Sequence, residues 1–126
     1  MKKYKVIIEN ATLEHAKKFY GDEPRKSFRG YSALIDGMVV GMGGLAYESG
    51  KIVLFSDMKE ELRPFKKTIL KSVYILKDMV EKTRHPIVAI ASNKEKYSER
   101  LLTMLGFSPS GKEVSEGKVY WRFPNG

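Results

Sequence analysis

Side chains able to act as nucleophiles, metal ligands or acid–base groups are few in this chain and mostly isolated. Its 126 residues include no cysteine, which excludes a thiolate nucleophile, a disulfide frame and any Cys-bearing zinc site. His15 and His85 are the two imidazoles, and neither has a partner at a ligating spacing, so no metal site is expected. Gly41-Met42-Gly43-Gly44 lacks the spaced glycines of a dinucleotide fingerprint and falls inside a strand-like run, where glycine marks a bulge or a close neighbour. Charge is more informative: 23 Lys and Arg stand against 15 Asp and Glu, a formal net charge of +8. Residues 59–84 hold eight basic and four acidic groups, for +4, whereas residues 31–58 hold one and three, for −2. A basic stretch around Arg63, Lys66, Lys67 and Lys71 can receive an anion or simply form a solvated helix face. A nucleic-acid surface would interleave aromatic residues with a basic stripe on an open sheet, and that pattern is not evident.

The elements that must hold these groups alternate between two periodicities. Residues 4–8 read as a strand, Thr12 as the cap of a short helix carrying Leu13, Ala16 and Phe19 or Tyr20, and Gly21 as its stop. Two hairpins follow: residues 31–35 turn into 38–45 across Asp36-Gly37, and Glu48-Ser49-Gly50-Lys51 leads into 52–56. A helix of about twenty residues is expected from Pro64 to Arg84, with Phe65, Ile69, Val73, Leu76 and Val80 as its apolar stripe. The unbroken apolar run 87–91 predicts a strand covered on both faces and parallel to its predecessor. Asn93 is placed to cap a last helix carrying Tyr97, Leu101, Met104 and Leu105, which Gly106 stops before Phe107. Tyr74, Met79 and Met104 read as core or core edge, and residues 118–123 as the final, amphipathic strand. No repeat or linker divides the chain, so one domain spans residues 1–126. No apolar run approaches the roughly 18 residues of a membrane span and the start carries no signal-peptide pattern, so a soluble, cytoplasmic protein is expected.

This order of elements resembles the GNAT superfamily of N-acetyltransferases over nearly the whole chain. The local matches are Glu99-Arg100-Leu101-Leu102-Thr103-Met104-Leu105-Gly106-Phe107, similar to the family's helix ending in Gly-Phe, and the hairpin entry Gly37-Met38-Val39-Val40-Gly41. The resemblance implies an α+β fold with α/β/α layers: a mixed, mostly antiparallel sheet with a splayed central strand pair and flanking helices. It implies acetyl-CoA as cofactor and direct transfer of the acetyl group to an unknown amine in a ternary complex. Cofactor contacts would come from Phe55, Ser56, Asp57 and Met58 on the splayed strand, from Arg63, Lys66, Lys67 and Thr68 at the start of the long helix, and from Asn93. Asp57 or Glu48 would take the amine proton, backbone near Asp57 and Met58 would hold the oxyanion, and Tyr97 would stand in as acid for the leaving thiolate. A homodimer is compatible with the family.

Three positions depart from the family pattern. Lys66 and Thr68 occupy places where the cofactor loop has glycines, so side chains would replace close backbone contacts. Leu102 stands where the family has its tyrosine, and leucine donates no proton. Arg63-Pro64-Phe65-Lys66-Lys67-Thr68 also resembles the diverged loop of acetyltransferase-like proteins of tailed phages, which leaves a second reading: a phage-encoded, inactive GNAT-fold protein with a binding or structural role, as in a virion.

Overall fold

The computed structural model describes residues 5–21, 27–95 and 97–124. The expected strand start at residue 4, residues 22–26 after the first helix and the end at 125–126 lie outside them. In chain order the described elements are β1 (Val6–Asn10), α1 (Leu13–Tyr20), β2 (Phe28–Ile35), β3 (Met38–Glu48), β4 (Lys51–Met58), α2 (Lys66–Lys82), β5 (Ile87–Ser92), α3 (Ser98–Met104), β6 (Ser108–Val114) and β7 (Gly117–Arg122). The seven strands form one sheet in the order β1-β2-β3-β4-β5-β7-β6, antiparallel throughout except for β4 beside β5. The α+β class, the mostly antiparallel sheet and the flanking helices expected from the sequence are all present.

Both hairpins turn where the sequence places them. Asp36 and Gly37 have φ of 49° and 79°, and Ser49 and Gly50 have 49° and 75°, the paired positive values that a tight primed turn requires. Gly21 at φ 97° and Gly106 at φ 89° end their helices, and Thr12 caps α1 in a reciprocal box with His15: Thr12 accepts from the His15 amide while His15 Nδ1 accepts from the Thr12 amide. The glycine cluster in β3 meets close neighbours. A Cβ at Gly43 would lie 2.6 Å from the Tyr31 ring, and one at Gly44 would lie 2.0 Å from the carbonyl oxygen of Arg29. The ladder to β2 slips one residue earlier, between Ala33 and Leu34, which leaves Val40 without a β2 partner.

Successive residues of β4 face opposite sides of the sheet. Phe55 joins Val39, Met42 and Ala46 under Ala16 of α1. Leu54 joins Leu45, Ile87, Ala89, Ala91 and Tyr120 under Leu76 and Val80 of α2 and Leu102 and Leu105 of α3. Arg122 ties these two helices to β7, donating from Nε to the Leu105 carbonyl at 3.2 Å and from Nη1 to the Val80 carbonyl at 3.0 Å.

Five sequence expectations need correction. The long helix starts at Lys66, because a 3-10 turn over Glu60–Leu62 plants the buried Leu62 on β3 and Pro64 falls in the turn that follows. It stops at Lys82, where the Thr83 hydroxyl donates to the Met79 carbonyl and its backbone becomes extended. Strand β5 is covered on one face only: Ile90 is 44% exposed, and among the described residues no helix lies over that side of β5 and β7. Asn93 caps nothing; its amide instead donates to the Glu116 carbonyl, and α3 begins at Ser98. Tyr74 and Met104 are exposed, while Leu101, Leu102 and Leu105 pack. Strand β6 was not anticipated at all, because SPSGKEV is exposed along its whole length and carries no apolar alternation.

Ser32 is fully buried on β2 and its hydroxyl has no hydrogen-bond partner among the described residues. Ser32→Ala should therefore hold or raise stability, by up to about 1 kcal/mol, and Gly43→Ala should lower it by roughly 1–3 kcal/mol, both read from urea midpoints. At the other end of the sheet Tyr120 donates to Glu99 Oε1 at 2.7 Å, with Lys118 Nζ 3.5 Å from the same oxygen. That hydrogen bond and then the lysine charge hold the Glu99 carboxyl below its ordinary 4.5, and the same bond lifts the Tyr120 phenol above 10.0. A lowered carboxyl pKa adds stability above about pH 4.5 that is lost as pH falls through the folded-state value; a raised phenol pKa adds stability below pH 10.0 that is lost as pH rises through its own. Tyr120→Phe should thus be less stable than the parent at pH 7, with the gap narrowing at pH 3.

Candidate functional site

Strands β4 and β5 share only two register pairs, Ile52 with Ile87 and Val53 with Val88. Beyond them β4 stays paired with β3 as far as Met58, and β5 with β7 as far as Ser92, so a V-shaped cleft opens toward the C-terminal ends of both strands. This is the splayed pair expected from the sequence. The Lys59 amide donates to the Val40 carbonyl of β3 at 2.8 Å. Because backbone groups alternate along a strand, Asp57 and Phe55 also turn theirs to β3, whereas Leu54, Ser56 and Met58 turn theirs into the cleft. That leaves an unpaired backbone edge of the kind an extended amide chain can join.

Helix α2 starts beside the end of this edge. Phe65 at its N-cap makes no side-chain capping bond, and its first turn holds no acidic residue. The amides of Lys66, Lys67 and Thr68 therefore have no helical carbonyl to bond, and the dipole's positive end lies with them. The exposed lysine side chains add charge there, while Thr68 is half-buried. Arg63, in the turn before the helix, reaches across the mouth of the cleft: its Nε lies 3.4 Å from Glu60 Oε1 and its Nη2 donates to Glu95 Oε2, beyond β5, at 3.5 Å.

Asp57 lies at the open end of β4 with its side chain toward α1, where the Tyr20 hydroxyl donates to Oδ2 at 2.5 Å. Tyr20 stacks on Phe19, with ring centroids 4.9 Å apart, and Lys59 Nζ sits 5.4 Å above the Phe19 ring. On the opposite face Ser56 meets the buried Tyr31 hydroxyl together with Ser72. Burial raises the Tyr31 phenol, the bonds to Ser72 and Ser56 offset part of that rise, and the Asp57 charge adds to it.

The structure thus brings Ser56, Asp57, Met58, Arg63, Lys66, Lys67 and Thr68 to one end of the cleft. Phe55 is buried under α1 with its backbone turned away from the cleft. Glu48 sits at the β3–β4 turn, the far end of β4 from Asp57. Asn93 borders the β5 side, with its side-chain amide donating to the Ser115 carbonyl at 3.4 Å. Tyr97 is 66% exposed just ahead of α3, and Leu102 is buried among Leu105, Phe107 and Ile87. Sequence reasoning missed Tyr20 and Glu95. Tyr20 is 37 residues from Asp57, and its one signal was the aromatic end of α1. His15 serves the α1 cap, with its Nε2 3.2 Å from Glu9. Among the described residues no group of His, Asp and Glu could hold a metal, and no helix is long and apolar enough to cross a membrane.

No family profile matches the chain, and no curated protein matches it by sequence. Solved structures do match. The ribosomal-protein-S18-alanine N-acetyltransferase from Escherichia coli superposes with a TM-score of 0.60 at 8% identity over 97% of both chains. An acetyltransferase of the GNAT family from Staphylococcus aureus Mu50 gives 0.55 at 12% identity, covering 94% of this chain and 98% of that one. A Salmonella typhimurium protein assigned as an acetyltransferase, solved with its cofactor acetyl-CoA, gives 0.59 at 12% identity, with 97% and 95% covered. At these identities the likeness establishes the fold.

Removing the Tyr20–Asp57 bond by Tyr20→Phe should cost about 1 kcal/mol of stability, seen as a lower urea midpoint, with Asp57→Asn producing a loss of similar size.

Proposed function

We propose that this GNAT-fold chain binds acetyl-CoA in the cleft between β4 and β5 and transfers the acetyl group to an amine held at Asp57. The observation that carries this reading is the combination of an unpaired β4 edge with an uncapped, acid-free start of α2 at its end. The donor set suits an extended amide chain that ends in phosphates. Such a chain pairs with the cleft-facing backbone of Leu54, Ser56 and Met58, and its phosphates meet the free amides of Lys66, Lys67 and Thr68. Here Lys66 supplies charge where the family uses bare glycine backbone, and Arg63 supplies a bidentate fork.

The bound cofactor contributes an activated thioester carbonyl. The Met58 amide faces the cleft and is the backbone donor for the oxygen that gains charge during attack. Asp57 Oδ2 is occupied by Tyr20, so Oδ1 is the oxygen left to accept the amine proton. No phenol replaces Leu102, which leaves thiolate protonation to solvent or to Tyr97 at the rim. That same burial of Leu102 favours a second reading, in which the protein binds the cofactor without catalysing transfer, whether in a cytoplasm or as part of a phage particle.

Saturating acetyl-CoA should raise the melting temperature by several degrees, since ligand at 100 times its Kd adds about 2.7 kcal/mol. Arg63→Ala combined with Lys66→Ala should weaken binding at least tenfold. An unmoved melting temperature at millimolar acetyl-CoA overturns the proposal. Binding without thiol release across a broad amine panel selects the second reading, and thiol release that Asp57→Asn abolishes supports the first.

A further inference from the structure

Two ion pairs meet on Arg63, and they differ in kind. Glu60 belongs to the same short turn, three residues away, and travels with it. Glu95 is 32 residues distant and stands on the β5 side of the cleft, in the segment between β5 and α3. The backbone fixes that segment: the Glu95 amide donates to the Ser92 carbonyl at 3.3 Å, the Lys94 amide to Ser92 Oγ at 3.2 Å, and the Asn93 amide to the Glu116 carbonyl at 3.0 Å. The Arg63–Glu95 contact therefore spans the V at its open end, from one anchored rim to the other. Both side chains are about half exposed, at 46% each, so the pair is weak by itself and can be displaced.

We propose that Glu95 is a built-in competitor at the phosphate end of this cleft: its carboxylate takes the Arg63 Nη2 contact, and a ligand's phosphates gain the full guanidinium fork only by displacing it. The inference rests on the reading of the cleft as an acyl-CoA site. A single carboxylate competes as a monoanion. A pyrophosphate carries more charge and offers more acceptor oxygens to the same planar donor, so it wins the exchange. A ligand lacking phosphates gains nothing from displacing Glu95. The carboxylate thus lowers affinity for phosphate-bearing ligands by the free energy of the Arg63–Glu95 contact plus its own repulsion of the phosphates. It leaves uncharged pantetheine derivatives unaffected.

Titration calorimetry on the full chain at low salt tests this with three probes: acetyl-CoA, S-acetylpantetheine, which has no phosphate, and inorganic pyrophosphate. Glu95→Gln should bind acetyl-CoA and pyrophosphate two- to tenfold more tightly than the parent and bind S-acetylpantetheine equally well. In an Arg63→Ala background the same substitution should retain at most a small part of that gain, which makes the double-mutant cycle the measure of coupling. Equal affinity of parent and Glu95→Gln for acetyl-CoA or pyrophosphate overturns the inference, as does tighter binding of S-acetylpantetheine by the variant. Pyrophosphate binding that strengthens in Glu95→Gln while acetyl-CoA fails to bind keeps the role of Glu95 and overturns the acyl-CoA reading instead. Failure of both probes to bind overturns both.

Discussion

Everything distinctive about this molecule depends on β4 having one hydrogen-bonded neighbour for most of its length. Eight register pairs bind it to β3 and only two to β5, while β5 itself is held by six to β7. The two halves of the sheet each keep their own ladder and separate where the shared one ends. The β3 side retains β4 to its last residue because the Lys59 amide still finds the Val40 carbonyl, at the residue where β3 bulges against β2. Leu62 then drops onto Gly41, where a Cβ would come within 2.7 Å of it, and the chain can turn straight into α2. The bulge, the small residue and the buried leucine together hold a polar backbone edge open in the middle of the sheet, away from its outer strands β1 and β6.

Rigidity on either side of the opening comes from polar ties that reach across elements. Arg122 uses one guanidinium to bond a carbonyl in the last turn of α2, at Val80, and the carbonyl of Leu105 at the end of α3. Tyr20 and Asp57 join the end of α1 to the end of β4, and Tyr31 lies beneath α2 against Ser56 and Ser72. The cleft is thus bordered on both faces of the sheet by aromatic residues whose hydroxyls are already engaged.

The features legible in the sequence are those decided within a few residues. The turns at Asp36-Gly37 and Ser49-Gly50, the Thr12 cap and the Gly21 and Gly106 stops are local choices of φ and side-chain reach. The parallel neighbour of β4 is where the unbroken apolar run 87–91 predicts it, although only the face of Ile87, Ala89 and Ala91 is covered. Pro64 misled because proline suits a turn as well as a first helical residue, and the decision fell to Leu62 and its packing on β3. Ile90 misled because an apolar run does not say whether a helix lies above it. At the candidate site the order of elements sufficed to place Arg63, Lys66 and Asp57 near the open end of the cleft, whereas Tyr20 and Glu95 could not be placed there, since each reaches it through a contact more than thirty residues away. Glu48 resembled Asp57 as a strand-end carboxylate, but the hairpin carries the two to opposite ends of β4.

The same local irregularity that hid β6 from sequence analysis gives it a protective role. An outer strand displays unpaired amides and carbonyls that can recruit another chain into a growing sheet. Along β6, Pro109 has no amide to offer, the register slips between Pro109 and Glu113, Gly111 takes a left-handed φ of 85°, and the Ser110 hydroxyl takes up the Val119 carbonyl. A strand approaching from outside meets no continuous row of donors and acceptors. The margin that is hardest to recognise as a strand is therefore also a poor template for cross-β stacking.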